Sequence, residues 1–234
     1  MSVGYNISVA NRPPFAIGEW YHCYSRGTDK RKIFGTAKEY ERFIALLYTS
    51  NGTNPSRISD KRRTGLYSIL ADRLIDRGRP LVEIGAYALM PTHVHFIIRE
   101  IEKGGIARFM QKVFTGYTMY FNLKHARTGA LFGGTFKSKH VVDDRYLKQL
   151  VSYVLLNPVE LFEPGWKEGR GNIRVVERKV LGYPYSSLID FVGVRRPENS
   201  IVNTNWDDYF DSKPRISYLL TEAQAYYQEH RPEV

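Results

Sequence analysis

An α+β domain built on an antiparallel sheet is what the periodicities of this chain predict. Three observations carry the prediction: apolar runs with strand character at residues 19–26, 81–90 and 93–100, helical apolar stripes between them, and no stretch of 18 or more apolar residues. EWYHCYSR (19–26) is aromatic-rich with partial alternation and reads as a strand, closed by the polar turn GTDKRK. Tyr40, Phe43, Ile44 and Leu47 recur at helical spacing within 37–50. NGTNPSRISDKRRTG (51–65) is dense in turn formers and charge, which makes it a loop or insertion. LVEIGAYALM and HVHFIIRE read as two strands divided by Pro91-Thr92, most simply an antiparallel pair.

A second helix follows, with Ile106, Phe109, Met110, Val113, Tyr117 and Phe121 on one stripe. LFGGTFKSKHVV suggests a short strand or extended segment. Strand, helix, strand, strand, helix, strand is the ferredoxin-like order, in which helices back a central antiparallel sheet. In DDRYLKQLVSYVLLNPVE, Leu147, Leu150, Val151 and Val154 mark a further amphipathic helix, with Asp143 or Asp144 available as N-cap and Pro158 as its stop. After Arg195-Arg196-Pro197 the chain turns polar and ends in a helix near TEAQAYYQEH, so residues 1–195 read as the domain and 196–234 as a C-terminal extension that packs on it or grips a ligand.

Composition narrows the class of function. With 43% hydrophobic residues in 234, the chain is long enough to bury a sizeable core. Lys and Arg number 34 against 24 Asp and Glu, a formal charge of +10 that favours a polyanionic partner, nucleic acid first. A basic balance also serves solubility, so the charge only supports that reading. Cys23 is the single cysteine, which excludes an intrachain disulfide and a cysteine-rich zinc cluster. The N-terminal residues lack the apolar core of a signal peptide, no membrane-surface helix stands out, and a cytoplasmic, non-membrane protein is expected.

The chemistry concentrates in two places. His93 and His95 stand at i and i+2 of one strand, so both imidazoles leave the same face and supply half of a metal site. Tyr153 and Asn157, four apart on the helix of DDRYLKQLVSYVLLNPVE, share a face beside the apolar stripe. A phenol is a potential nucleophile and an amide oxygen a potential ligand for a hard cation. Packing roles account for Tyr117 and Tyr120, while Tyr146, two turns before Tyr153, is not separable from it by helical geometry. His22, His125 and His140 read as surface or hydrogen-bonding residues. Lys137 and Lys139 alternate in TFKSKH and, with Arg26, can face successive phosphates, although a solvated strand face explains the lysines as well. Phe132 and Phe136 offer stacking surfaces for unpaired bases. DKRR at 60–63 reads as a solvated loop.

YHCYSRGTDKRKIF, YALMPTHVHFIIRE, MQKVFTGYTMYFNLKHARTGALFGGTFKSKHV and YLKQLVSYVLLNPVE together, in this order and spacing, resemble the single-tyrosine HUH transposases, and among them the REP-associated tyrosine transposases. The resemblance runs over residues 19–190 and departs from the family's pattern at Ser25, where Asn is expected before Arg-Gly, and in the insertion at 51–65. It implies the HUH nuclease form of the ferredoxin-like fold, a metal held by His93, His95 and Asn157, and Tyr153 as nucleophile. The implied ion is Mg²⁺ or Mn²⁺, and the implied activity is cleavage and transfer of single-stranded or hairpin DNA through a 5′-phosphotyrosine. Three other readings stay open: a domesticated hairpin-binding protein without cleavage, a replication initiator or relaxase sharing the metal motif, and a zinc hydrolase built on the histidine pair. Whether the chain acts as a monomer or a homodimer is also open.

Overall fold

Strand β1 (Trp20–Arg26) opens a four-stranded sheet whose order is β2 (Val82–Met90), β3 (His93–Glu100), β1, β4 (Lys137–His140), with every neighbouring pair antiparallel. This is the ferredoxin-like order expected from the element sequence. The computed structural model describes residues 14–54, 69–70, 75–170, 173–202, 205–210 and 212–230. The insertion beyond residue 54 and the DKRR run lie outside the described residues. Among the described residues no helix is long and apolar enough to cross a membrane.

Strands β1, β2 and β3 are buried on both faces, whereas β4 is largely exposed, and alternation assigns their residues. Tyr21 and Cys23 of β1 and Val94, Phe96 and Ile98 of β3 join one core with α1 (Ala37–Ser50) and α2 (Gly105–Lys124), whose predicted stripe residues are all buried. Trp20 and Ile97 point the other way, into a second core formed with α3 (Asp144–Leu156) and α6 (Ile216–His230). His22, Tyr24 and Arg26 of β1 and His93 and His95 of β3 alternate onto that second face.

One irregularity was not legible in the sequence. The β2–β3 register shifts between Ile84 and Ala86, and across this bulge β2 changes phase: Val82 and Ile84 face the first core, Ala86 the second, Tyr87 the first. Gly85 occupies the bulge because a Cβ there would lie 2.8 Å from Cζ2 of Trp206 and 3.0 Å from Cζ3 of Trp20.

Asp143 is the N-cap of α3, its carboxylate accepting from the Tyr146 N–H at 2.7 Å. At its other end Asn157 and Pro158 redirect the chain into a 3₁₀ turn (Asn157–Leu161). With the sheet on one side and α6 on the other, nearly every residue from Tyr146 to Leu156 is buried, more than its apolar stripe alone indicates.

Beyond α4 (Ile173–Leu181), the segment at 185–187 runs along the outer edge of β2, with Leu89 N–H donating to the Tyr185 carbonyl and Ser187 N–H to that of Tyr87. Arg196 locks this segment in place after the short α5 (Leu188–Phe191), pairing both Asp190 oxygens (2.9 and 2.6 Å) and donating to the Pro184 and Ser186 carbonyls.

Glu39 in the first turn of α1 is fully buried and accepts from Gly35 N–H, Thr36 N–H, Lys124 Nζ and His125 Nε2 at 2.6 to 3.0 Å. Burial by itself raises a carboxyl pKa, but these bonds, Lys124 foremost, outweigh it and hold Glu39 at about 2. A depressed native pKa contributes stability that is complete above the unfolded value of 4.5 and is lost as pH falls toward 2. Glu39→Gln is therefore expected to cost about 3 kcal/mol at pH 7 and to flatten the pH dependence of stability between 4.5 and 2. Urea unfolding across that range checks it, and parallel curves for the two proteins would contradict it.

Candidate active site on the second sheet face

His93 begins β3 immediately after the Pro91-Thr92 turn, and its position is tied to the end of β1. Gly27 N–H donates to the Thr92 carbonyl at 2.8 Å, and Ile33 and Phe34 N–H donate to that of Pro91. A side chain at Gly27 would place its Cβ 2.5 Å from the Arg31 carbonyl oxygen, so the tight loop from 27 to 33 requires glycine there. The β1–β3 register sets Arg26 opposite His93 and Tyr24 opposite His95.

The four residues singled out by spacing converge. His93 Nε2 lies 3.3 Å from Asn157 Oδ1, and the His95 ring stands edge-on to Tyr153 with centroids 5.6 Å apart. The two histidine rings are perpendicular, 5.1 Å between centroids. Thr92 Oγ1 sits 3.0 Å from His93 Nδ1 and His22 Nε2 sits 2.9 Å from His95 Nδ1, so in each ring Nδ1 is engaged and Nε2 is turned into the site.

Three buried polar atoms here make no well-formed hydrogen bond: His95 Nε2, and Tyr153 Oη and Asn157 Nδ2, which interact only loosely with each other. Buried polar atoms are rarely left so, and several around one point suggest a group that completes them. Two imidazole nitrogens and an amide oxygen are neutral donors suited to a borderline-to-hard divalent ion. His93, His95 and Asn157 therefore fit such a metal, whereas among the described residues no three of His, Cys, Asp or Glu come together to hold one.

The electrostatics favour the same forms. Burial lowers His93 to about 4, opposed by Asn157 and reinforced by Arg26, and it takes His95 well below its ordinary value. His22 falls to about 3 through burial and the nearby Lys139. All three rings are neutral at pH 7, with lone pairs available. Burial pushes the Tyr153 phenol up, an effect that Asn157 only partly offsets.

Of the predicted DNA-facing residues, Lys137 and Lys139 are exposed on β4 opposite Tyr24 and His22, hence on the face that carries the histidines. Lys139 Nζ stands 5.3 Å from the Tyr146 ring centroid. Phe132 and Phe136 do not offer stacking surfaces: both are buried, Phe132 against Phe114 at 4.4 Å and Phe136 beside Phe15. The loop that carries them folds back on α2, so their rings complete the first core.

Sequence reasoning missed three neighbours. His22 is 2% exposed, hydrogen-bonding rather than superficial, and its partner is His95, a link that the sequence did not reveal. Lys167, in the 3₁₀ turn Trp166–Glu168, holds Nζ 5.8 Å from the Tyr153 ring and bonds Glu160 at 2.6 Å. Tyr226 of α6 lies 4.8 Å from Tyr153, centroid to centroid. Lys167 and Tyr226 cover the nucleophile candidate, which is fully buried. Only the HxH alternation and the i, i+4 pair have a local signature.

No known family profile and no curated protein matches this chain. Among solved structures it is similar to that of a REP-associated tyrosine transposase bound to a REP hairpin, at 15% identity over 88% of this chain and 96% of that one, with a TM-score of 0.47.

Proposed function

We propose that this chain is a metal-assisted tyrosine transposase or nuclease that cleaves and transfers single-stranded DNA near a hairpin. The observation that carries the reading is the meeting of His93, His95, Asn157 and Tyr153 around buried polar atoms that lack well-formed hydrogen bonds. A purely structural cluster would be expected to satisfy those atoms.

Tyr153 Oη attacks phosphorus in line, the P–O3′ bond breaks, and the phenolic proton ends on the departing 3′ oxygen. One strand then carries a 5′-phosphotyrosine and the other a free 3′-OH, so the ester is preserved for rejoining without ATP. A divalent ion, Mg²⁺ or Mn²⁺, bound by His93, His95 and Asn157 would polarise the phosphate and offset its developing charge. Arg26, Lys137 and Lys139 hold the flanking phosphates. Because Tyr153 is buried, Lys167 and Tyr226 give way when a strand enters.

A stiff duplex does not readily bring one phosphorus within about 3 to 3.5 Å of a tyrosine on a helix, whereas an unpaired strand does. Cleavage of a single-stranded oligonucleotide carrying a hairpin is expected to be strand-specific and far faster than cleavage of the same sequence annealed to its complement, with protein on the 5′ end. Comparing 5′- and 3′-labelled versions on a denaturing gel tests both halves. Equal cutting of both forms, or protein on the 3′ end, would overturn the proposal, and hairpin binding without any cleavage would favour the domesticated binding protein.

A further inference from the structure

His22 and His95 face each other nitrogen to nitrogen, Nε2 to Nδ1 at 2.9 Å, with ring planes 15° apart. They are diagonal neighbours across the β1–β3 pair, since the register sets His22 opposite Ile97 and Tyr24 opposite His95. Between two such nitrogens one must carry the hydrogen and the other the lone pair. If His22 donates, neutral His95 carries its hydrogen on Nε2, which is buried and has no acceptor within reach. If His95 donates from Nδ1, its Nε2 is a bare lone pair turned toward the site. An orphaned buried donor is the rarer and costlier defect, so the second arrangement is favoured.

We infer that His22 is a positioning residue that accepts the Nδ1 hydrogen of His95 and so fixes the tautomer and ring orientation in which His95 Nε2 binds a metal ion. The inference rests on the metal-assisted reading above and extends it to a residue outside the ligand set. It gives a reason for a histidine at position 22 that packing alone does not: an apolar ring fills the same space but accepts no hydrogen bond. Support of this kind for a metal-binding histidine is worth roughly 10- to 100-fold in metal affinity.

Two measurements on the full chain, free of DNA, test it. In metal-free protein with ¹⁵N-labelled histidine, long-range ring correlations should find the hydrogen of His95 on Nδ1; finding it on Nε2 overturns the inference whatever the variants do. Mn²⁺ titration followed by electron paramagnetic resonance should give roughly 10- to 100-fold weaker binding for His22→Phe. His22→Gln, whose amide oxygen can reach the place of Nε2, should recover most of the loss. Wild-type affinity in His22→Phe, or an equal loss in His22→Gln, overturns the inference and leaves the metal reading standing. A wild-type chain that binds no Mn²⁺, or a His95→Ala variant that binds it undiminished, removes both. If His22→Phe does not fold, the tautomer and the His22→Gln affinity decide.

Discussion

Tyr153→Phe is expected to abolish the covalent protein–DNA adduct while leaving the fold and hairpin binding intact. Removing the atom proposed to attack leaves nothing to form the phosphotyrosine, so the loss should be on the order of 10⁴-fold or more, down to background. What sets Tyr153 apart from the other tyrosines is the state of its hydroxyl. Tyr117 Oη donates to the Ile33 carbonyl at 2.5 Å on the opposite face of the sheet, and Tyr146 Oη is bonded to Tyr226 Oη at 3.1 Å. Tyr153 Oη is buried and makes no well-formed hydrogen bond, with only the Asn157 amide near it. A buried hydroxyl left unpaired costs roughly 1 to 3 kcal/mol, so deleting it should leave Tm unchanged or raise it by a few degrees. Tyr117→Phe gives up a made bond and should lower Tm while retaining the adduct. A labelled oligonucleotide on a denaturing gel, read beside thermal melts of the three variants, distinguishes them. An adduct that survives in Tyr153→Phe and disappears in Tyr146→Phe would transfer the role to Tyr146.

Loss of His95 is the second large effect. His95→Ala removes one of the two imidazoles whose Nε2 is turned into the site, and cleavage is expected to fall about a thousandfold, the several kcal/mol that a bound cation contributes at a phosphoryl centre. Hairpin affinity should change by no more than a few-fold, because the phosphate contacts proposed for Arg26, Lys137 and Lys139 do not involve the His95 side chain. Excess chelator should reproduce the loss in the wild type and add nothing further to the variant. Circular dichroism guards against a collapse of the fold, since His95 is completely buried. Full cleavage by His95→Ala in chelator would end the metal mechanism.

How much of this was legible in the chain follows from the range of each interaction. The sheet order came from element sequence, and the two site pairs from local periods: two in β3 for the histidines, four along α3 for Tyr153 and Asn157. Both kinds of signal sit within a few residues. The Gly85 bulge is a property of two strands in register and leaves no period in either. His22 lies 73 residues from His95, and Lys167 and Tyr226 reach Tyr153 from a 3₁₀ turn and a terminal helix, so no local pattern announces them. Phe132 and Phe136 misled because an aromatic residue in a glycine-rich loop looks the same whether the loop stands out or folds back.

Strand β3 belongs to both halves of the molecule at once. Val94, Phe96 and Ile98 anchor one core, and His93, His95 and Ile97, interleaved with them, build the other side. Chemistry and scaffold are thus written in alternate letters of one eight-residue word, and the two-residue turn at Pro91-Thr92 sets the reading frame. A single-residue insertion or deletion in that turn, if carried into the strand rather than taken up by a bulge such as that at Gly85, would exchange the two sets, presenting valine and phenylalanine to Tyr153 and driving two imidazoles among the aromatic rings of α1 and α2. Length change, tolerated in most surface turns, is therefore costlier in this one than substitution, because only a length change can move both imidazoles at once.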